Sequence, residues 1–148
     1  MKISILIPVY NDWESVSELI KNINIEIKDL NHEFSVIIIN DASLEKKELN
    51  FQSLENINLI ELIHMKENRG HARCIASGLK YIFEKKDFDY VIPMDGDGED
   101  RPSEINDFVE YTEYSPNQTI VGERVKRSEN FFFKFCYIIH KILTFFFT

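Results

Sequence analysis

The chain has 148 residues with 25 acidic and 17 basic side chains, a formal charge of −8 and 44% hydrophobic residues. This composition excludes a disordered or collagen-like chain, and the length suits one globular domain or part of one. The two cysteines, Cys74 and Cys136, exclude a disulfide framework and indicate a reducing compartment. The apolar run near the N-terminus is too short for a signal peptide, so we predict a cytoplasmic chain.

The charge is distributed unevenly along the chain. Residues 121–148 carry five basic and two acidic side chains, a charge of +3, which leaves −11 for the first 120 residues. An acidic body argues against nucleic-acid binding. Residues 129–148 are also strongly apolar and predict a membrane-proximal C-terminal helix. Because Lys134 and Lys141 would be costly inside a membrane, we expect this helix at the cytoplasmic membrane surface or against another domain.

The first half of the chain alternates apolar runs with an amphipathic stretch. Residues 3–9 predict a first strand, and apolar side chains then recur at helical spacing from Trp13 to Ile27. Residues 34–39 and 57–63 predict the second and third strands. The runs are almost continuously apolar, as is typical of strands buried on both faces of a parallel sheet.

The second half of the chain continues this alternation. Apolar side chains from Ala72 to Phe83 have helical spacing, and residues 90–94 predict a fourth strand. Pro102 marks the first turn of a third helix, and residues 119–121 predict a fifth strand. Strands that alternate with helices indicate an α/β fold with a mainly parallel sheet, and we find no repeat or linker that suggests a second domain.

Polar residues follow every predicted strand, at the end where ligands bind in open parallel sheets. These segments are residues 10–12, 40–43, 66–73, 95–101 and 122–124. Loops that carry function concentrate such side chains, so we expect a binding site along this edge of the sheet.

Four carboxylates lie close together after the fourth strand, at Asp95, Asp97, Glu99 and Asp100. Such crowding is unfavourable unless some groups are protonated or a divalent cation neutralises them, and oxygen ligands favour Mg²⁺ or Mn²⁺. A solvated acidic turn is the alternative. An EF-hand is excluded, because its sixth position would be Asp100 instead of Gly and its twelfth Asn106 instead of Glu.

Common phosphate-binding loops are absent from the sequence. No Gly-x-Gly-x-x-Gly follows the first strand and no P-loop motif occurs, which argues against dinucleotide-dependent dehydrogenases and P-loop enzymes. A nucleotidyltransferase would need a glycine-rich basic loop after the first strand, and residues 8–12 contain neither glycine nor a basic side chain. The remaining possibility is a nucleotide held by scattered loop residues, with its diphosphate bridged to carboxylates by a metal.

Four motifs resemble those of family 2 glycosyltransferases in order and spacing. They are IPVYND at residues 7–12, NDAS at 40–43, NRG at 68–70 with Ala72 and Gly78, and DGDGEDRPSE at 95–104. The most similar branch is that of dolichyl-phosphate mannosyltransferases and bacterial polyprenyl-phosphate sugar transferases. The acidic motif departs from the branch at four positions, which are Gly96, Gly98, Glu99 and Arg101.

The resemblance implies a GT-A fold, a Rossmann-like and mainly parallel sheet flanked by helices. It also implies a UDP- or GDP-sugar donor, Mg²⁺ or Mn²⁺, and transfer that inverts the anomeric carbon. The implied site residues are Pro8, Tyr10 and Asp12 at the nucleoside, Asp41 at the base, Arg73 near the base or diphosphate, Asp95 at the ribose or sugar, Asp97 at the metal and Arg124 as a cationic contact. Asp95 and Asp97 are the implied catalytic residues.

Structural roles compete with several of these assignments. Asp41 can cap a turn through its side chain, and Arg73 can be an ordinary exposed helix residue. His71, beside Gly70 at the start of the second predicted helix, can contact a phosphate or be an unremarkable surface histidine.

The expected function is a metal-dependent glycosyltransferase, with a polyprenyl phosphate as a possible acceptor at the membrane face. In the resembled branch, a further segment follows an apolar helix like residues 129–148, so we expect the chain to be the N-terminal part of a longer enzyme. The alternative is a truncated, catalytically inactive nucleotide-binding module that associates with a partner.

Overall fold

Parallel strands form the centre of the fold. The computed structural model of the protein describes residues 1–45 and 54–122. Within them lie β1 (Lys2–Val9), β2 (Glu33–Asn40), β3 (Leu59–His64) and β4 (Tyr90–Pro93). These strands form a sheet in the order β3-β2-β1-β4, and all three pairings are parallel. The first four predicted strands are therefore confirmed, with ends that shift by one or two residues.

Burial differs between the central and outer strands of this sheet. β1 and β2 pair along their whole length, from Lys2 opposite Glu33 to Val9 opposite Asn40. Nearly all their residues are buried, as their continuous apolar runs predict. β3 and β4 are only partly buried, which corrects the expectation of burial on both faces. The reason is position, since each has one neighbouring strand in the described part of the sheet.

The helix α1 (Trp13–Glu26) packs on one face of the sheet. The side chain of Asp12 caps it by accepting a hydrogen bond from the backbone N–H of Ser15 (3.2 Å). Its apolar stripe, which includes Val16 and Ile20, packs in one cluster with Ile5 and Ile7 of β1. The helix α3 (Ile105–Tyr114) adds Ile105 and Val109 to the same cluster.

The helix α2 (His71–Lys85) packs on the opposite face. Cys74 and Ile82 form a second cluster with Leu6, Ile37 and Ile39, which alternate along β1 and β2 with the residues of the first cluster. Gly78 faces the same core and lets the helix approach the sheet closely. Because α2 packs on the sheet in this way, its first residue, His71, lies at the carboxyl edge of the sheet.

Gly78→Ala tests this close packing. The added Cβ would lie 2.4 Å from Leu6 Cδ1 and 2.8 Å from Ile39 Cγ1. Both side chains are enclosed in the core, so we expect the free energy of unfolding to fall by about 1–3 kcal/mol, although alanine favours helix. Denaturant unfolding measures the change, and Ser77→Ala on the exposed side of α2 is the control. A more stable Gly78→Ala variant would contradict this packing.

Two local predictions differ from the structure. Pro102 lies in a short 3₁₀ turn (Pro102–Glu104) that precedes α3, not in the first turn of the α-helix. Residues 119–121 do not form the predicted strand. The run is only three residues long and follows a turn in which Asn117 has φ of 63°. Val121, at its end, is 83% exposed.

The chain divides into two compact units, Met1–Pro116 and Asn117–Thr148. The first contains all the elements above. Of the second, the structure describes only residues 117–122, so the predicted apolar helix over 129–148 and Arg124 lie outside the described residues. Within residues 1–45 and 54–122, no helix combines the length and hydropathy needed to cross a bilayer.

Candidate functional site

A cleft of about 340 Å³ opens at the carboxyl ends of β1 and β4. The strand order reverses beside β1, because the chain runs outward to β2 and β3 and then returns to place β4 on the other side. Such reversal points are where open α/β sheets bind ligands. Its lining residues come from three segments: the end of β1 through the start of α1, the start of α2, and the loop after β4. The polar or aromatic side chains among its lining residues are Tyr10, Asp12, His71, Asp95 and Asp97.

The β1 side of the cleft is braced by the loop after β2. Asn11 has a positive φ of 61°, and its Oδ1 accepts a hydrogen bond from the backbone N–H of Leu44 (2.8 Å). The backbone N–H of Asn11 donates to Ser43 Oγ (2.8 Å). These bonds hold the segment on which Tyr10, 46% exposed, and Asp12 lie at the cleft.

Asp41 connects the loop after β2 to the start of α2. It is 4% exposed, and its Oδ1 and Oδ2 accept hydrogen bonds from the backbone N–H groups of Arg69 and Gly70, both at 2.8 Å. The carboxylate therefore positions the segment that leads into α2. It is not among the residues that line the cleft, and its assignment to the nucleobase stays a prediction.

The acidic loop after β4 is organised by its own carboxylates. The backbone N–H of Asp95 donates to Asp100 Oδ2 (2.8 Å), and that of Glu99 donates to Asp97 Oδ1 (2.9 Å). Gly96 passes so close to β1 that a Cβ there would lie 2.8 Å from the carbonyl oxygen of Pro8. Asp95 and Asp97 line the cleft, whereas Asp100 stabilises the turn behind them.

His71 and Asp95 meet inside the cleft. Nε2 of His71 lies 3.2 Å from Oδ1 of Asp95, and their side chains are 59% and 47% exposed. Burial raises the pKa of Asp95 above its ordinary value, and the nearby His71 acts in the opposite direction. Neighbouring acidic side chains add to the rise. A hydrogen-bond donor or a cation bound beside Asp95 would therefore stabilise its ionised carboxylate.

Asp95→Asn tests the electrostatic cost of this loop. Because the pKa of Asp95 is raised in the folded chain, the stability that its protonated form provides is lost as the pH rises through that pKa. We expect the metal-free variant to be more stable at pH 7, by less than about 1 kcal/mol because solvent screens this half-exposed group. The difference should vanish below the ordinary aspartate pKa of about 4. Denaturant unfolding at both pH values measures it, and a less stable variant at pH 7 would contradict the assignment.

The oxygen atoms in the cleft suit a hard divalent cation that is bound jointly by protein carboxylates and by phosphates of the substrate. Asp95 and Asp97 supply carboxylate oxygens, and within residues 1–45 and 54–122 no set of three or more His, Cys, Asp or Glu side chains is assembled as a metal site. Mg²⁺ and Mn²⁺ are often held by one or two carboxylates together with substrate phosphates. The residues present fit that kind of site.

The structure brings together five of the predicted site residues, since Pro8, Tyr10, Asp12, Asp95 and Asp97 all line the cleft. Arg73 is exposed in the first turn of α2 and does not line it. The sequence is compatible with either a phosphate contact or a surface role for His71, and the structure places it in the cleft. The signal available in the sequence was its position directly after Gly70 at the start of a helix that follows a strand.

Comparison with known sequences agrees with the motifs. The profile described as Glycosyl transferase family 2 matches residues 4–146. An undecaprenyl-phosphate 4-deoxy-4-formamido-L-arabinose transferase of Proteus mirabilis is 30% identical over 135 residues, covering 90% of this chain and 40% of the relative. The corresponding transferase of Pseudomonas fluorescens is 32% identical over 110 residues, covering 73% of this chain and 31% of the relative. The chain thus spans less than half the length of these relatives.

Solved structures show the same fold. The crystal structure of Staphylococcus aureus TarS 1-349 has a TM-score of 0.58 and 19% identity, covering 83% of this chain and 39% of that one. Its complex with UDP-GlcNAc gives the same TM-score at 18% identity. The predicted GT-A type of fold, with a parallel sheet flanked by helices, is confirmed for the described residues. On the family match and the relatives together, the chain belongs to glycosyl transferase family 2.

Proposed function

We propose that this chain binds the donor of an inverting glycosyltransferase, which transfers a sugar from a nucleoside diphosphate to a polyprenyl phosphate. The observation that carries the proposal is the cleft at the β1–β4 reversal point, which Asp95 and Asp97 line together with Tyr10 and Asp12 in a family 2 chain. Two solved neighbours contain UDP-GlcNAc or UDP, which supports a nucleotide-sugar donor. Two relatives are named as undecaprenyl-phosphate transferases, which supports a lipid-phosphate acceptor.

Asp97 is the proposed metal ligand, and Asp95 the proposed contact to the ribose or sugar. A bound Mg²⁺ or Mn²⁺ supplies charge neutralisation to the departing nucleoside diphosphate. Asp12 and Tyr10 border the nucleoside from the β1 side of the cleft. Asp41 fixes the start of α2 through Arg69 and Gly70, and we propose that it also bonds the base. Arg73 is the proposed contact near the base or diphosphate, and Arg124, outside the described residues, stays a predicted cationic contact.

The proposed reaction is a single displacement. An acceptor oxygen forms a bond to the anomeric carbon while the bond to the nucleoside diphosphate breaks on the opposite face, which inverts that carbon. A polyprenyl phosphate is already anionic at neutral pH, since a phosphate monoester has a second pKa of about 6. It therefore needs no strong general base, and what the protein must supply is orientation and stabilisation of the leaving charge.

The composition of residues 121–148 supports a location of the protein at the membrane face. This segment carries a charge of +3 and is rich in phenylalanine. Basic residues next to apolar ones bind anionic lipid surfaces. We propose that the protein works at the cytoplasmic face of the membrane, where its lipid-phosphate acceptor would lie.

Binding of UDP and GDP by the purified chain tests the donor site. We expect one of these nucleotides to bind when Mn²⁺ or Mg²⁺ is present and to bind much more weakly in EDTA. Isothermal titration calorimetry measures both conditions. Absence of metal-dependent binding for both nucleotides would overturn the proposal.

A second candidate is a nucleotide-binding module without turnover. The chain covers 40% and 31% of the two transferases it matches, so turnover by the chain itself is a separate question from nucleotide binding. Release of UDP or GDP from UDP-glucose, UDP-N-acetylglucosamine or GDP-mannose, with undecaprenyl phosphate and Mn²⁺, separates the two candidates. Metal-dependent nucleotide binding with no release of nucleotide would favour the binding module.

A further inference from the structure

The Asp95 carboxylate lies beside the imidazole of His71. The main chain at Asp95 is held by its N–H bond to Asp100 Oδ2 (2.8 Å). The side chain has a separate contact, from His71 Nε2 to Oδ1 (3.2 Å). This is an ion-pair distance, and among residues 1–45 and 54–122 no group donates a hydrogen bond to the carboxylate. Oδ1 is thus the oxygen that His71 approaches at ion-pair distance, while Oδ2 has no hydrogen-bond partner in the described part of the chain.

His71 is well placed to fix a neighbouring group because its own backbone is anchored. Asp41 accepts hydrogen bonds from the N–H groups of Arg69 and Gly70, immediately before His71. Gly78 and Cys74 pack α2 against the sheet in the following turns. The imidazole therefore extends from a rigid element, as a group that orients a site residue must.

We propose that His71 is a positioning residue, which holds Oδ1 of Asp95 so that Oδ2 accepts a hydrogen bond from a donor hydroxyl. This inference rests on the proposed function, in which Asp95 contacts the ribose or sugar. Only an N–H at Nε2 is required, and both the imidazolium and the Nε2–H tautomer of neutral histidine provide it. A glutamine at position 71 can present an amide N–H from a similar place, whereas alanine cannot.

Calorimetry with four variants tests the inference. The ligands are UDP-glucose, UDP-N-acetylglucosamine, GDP-mannose, UDP and GDP in the presence of Mn²⁺, and the tightest for the wild-type chain is used throughout. We expect His71→Ala to raise its Kd by about three- to tenfold, the effect of losing one contact with the net strength of a typical hydrogen bond. His71→Gln should remain within about twofold of wild type. In an Asp95→Ala background, His71→Ala should cause no further loss.

Lys80→Ala is the matched control, because Lys80 is exposed on the same helix and pairs only with Glu84 among the described residues (3.8 Å). It should bind like wild type, and thermal unfolding should show that all variants fold. If His71→Ala binds like wild type, if glutamine fails to restore affinity, or if the loss persists without Asp95, the inference is overturned while the donor site stands. If the wild-type chain binds none of the five ligands, the proposed function and the inference are both overturned.

Discussion

Asp97→Asn is expected to weaken Mn²⁺-dependent binding of UDP or GDP by about 100-fold, because several kcal/mol of metal-mediated charge stabilisation depend on this carboxylate. Asparagine retains a side-chain oxygen that can accept the N–H of Glu99, the bond that Asp97 Oδ1 accepts in the structure (2.9 Å). The loop should therefore keep its shape while losing the charge. Titration calorimetry with and without EDTA measures the effect.

Asp29→Asn is the matched control for this change. The same chemical substitution is made at a carboxylate that is 87% exposed and, among the residues that the structure describes, forms only a long ion pair with Lys28 (3.9 Å). It should bind nucleotide like the wild-type chain. If Asp97→Asn retains full metal-dependent affinity, Asp97 is not the metal ligand and the assignment must move to another carboxylate.

Asp41→Ala is expected to have the largest effect on stability among the site variants. The substitution leaves the N–H groups of Arg69 and Gly70 without the buried carboxylate that accepts both of them. We expect the free energy of unfolding to fall by about 2–3 kcal/mol, since hydrogen bonds to charged groups are the strong ones. Asp41→Asn retains one acceptor oxygen and should lose about 1 kcal/mol. Denaturant unfolding measures both.

The same variants separate the structural role of Asp41 from its proposed contact to the base. If Asp41 only fixes α2, the folded Asp41→Asn variant should bind UDP and GDP nearly as well as wild type. If it also bonds the base, nucleotide affinity should fall at least tenfold in a variant that is still folded. Asp87→Ala, at an exposed carboxylate paired with Lys2, is the stability control and should change little. Equal stability of Asp41→Ala and wild type would contradict the structural role.

Most of the fold follows from local patterns in the sequence. Continuous apolar runs predicted β1 and β2 because these strands are covered on both faces, and helical spacing predicted α1 and α2 within two or three residues at each end. Residues 119–121 show where the approach fails. A run of three apolar or β-branched residues becomes a strand only if a partner strand hydrogen-bonds to it, and no local pattern reports that partner.

The site was only partly predictable for a similar reason. Asp95 and Asp97 were found because they follow a strand and are close together in sequence. The contacts that organise the cleft join distant segments, such as His71 Nε2 to Asp95 Oδ1 and Asp41 to the N–H of Gly70. These depend on where α2 packs on the sheet, so composition and spacing could not reveal them.

Diffraction from crystals soaked with Mn²⁺ and UDP, or with Mn²⁺ and GDP, tests whether Asp97 binds the metal and the cleft binds the nucleotide. We expect an anomalous difference peak beside the Asp97 carboxylate, and nucleotide density in the cleft between β1 and β4, bordered by Tyr10 and Asp12. A metal and nucleotide bound together at any other place on the protein would contradict both assignments.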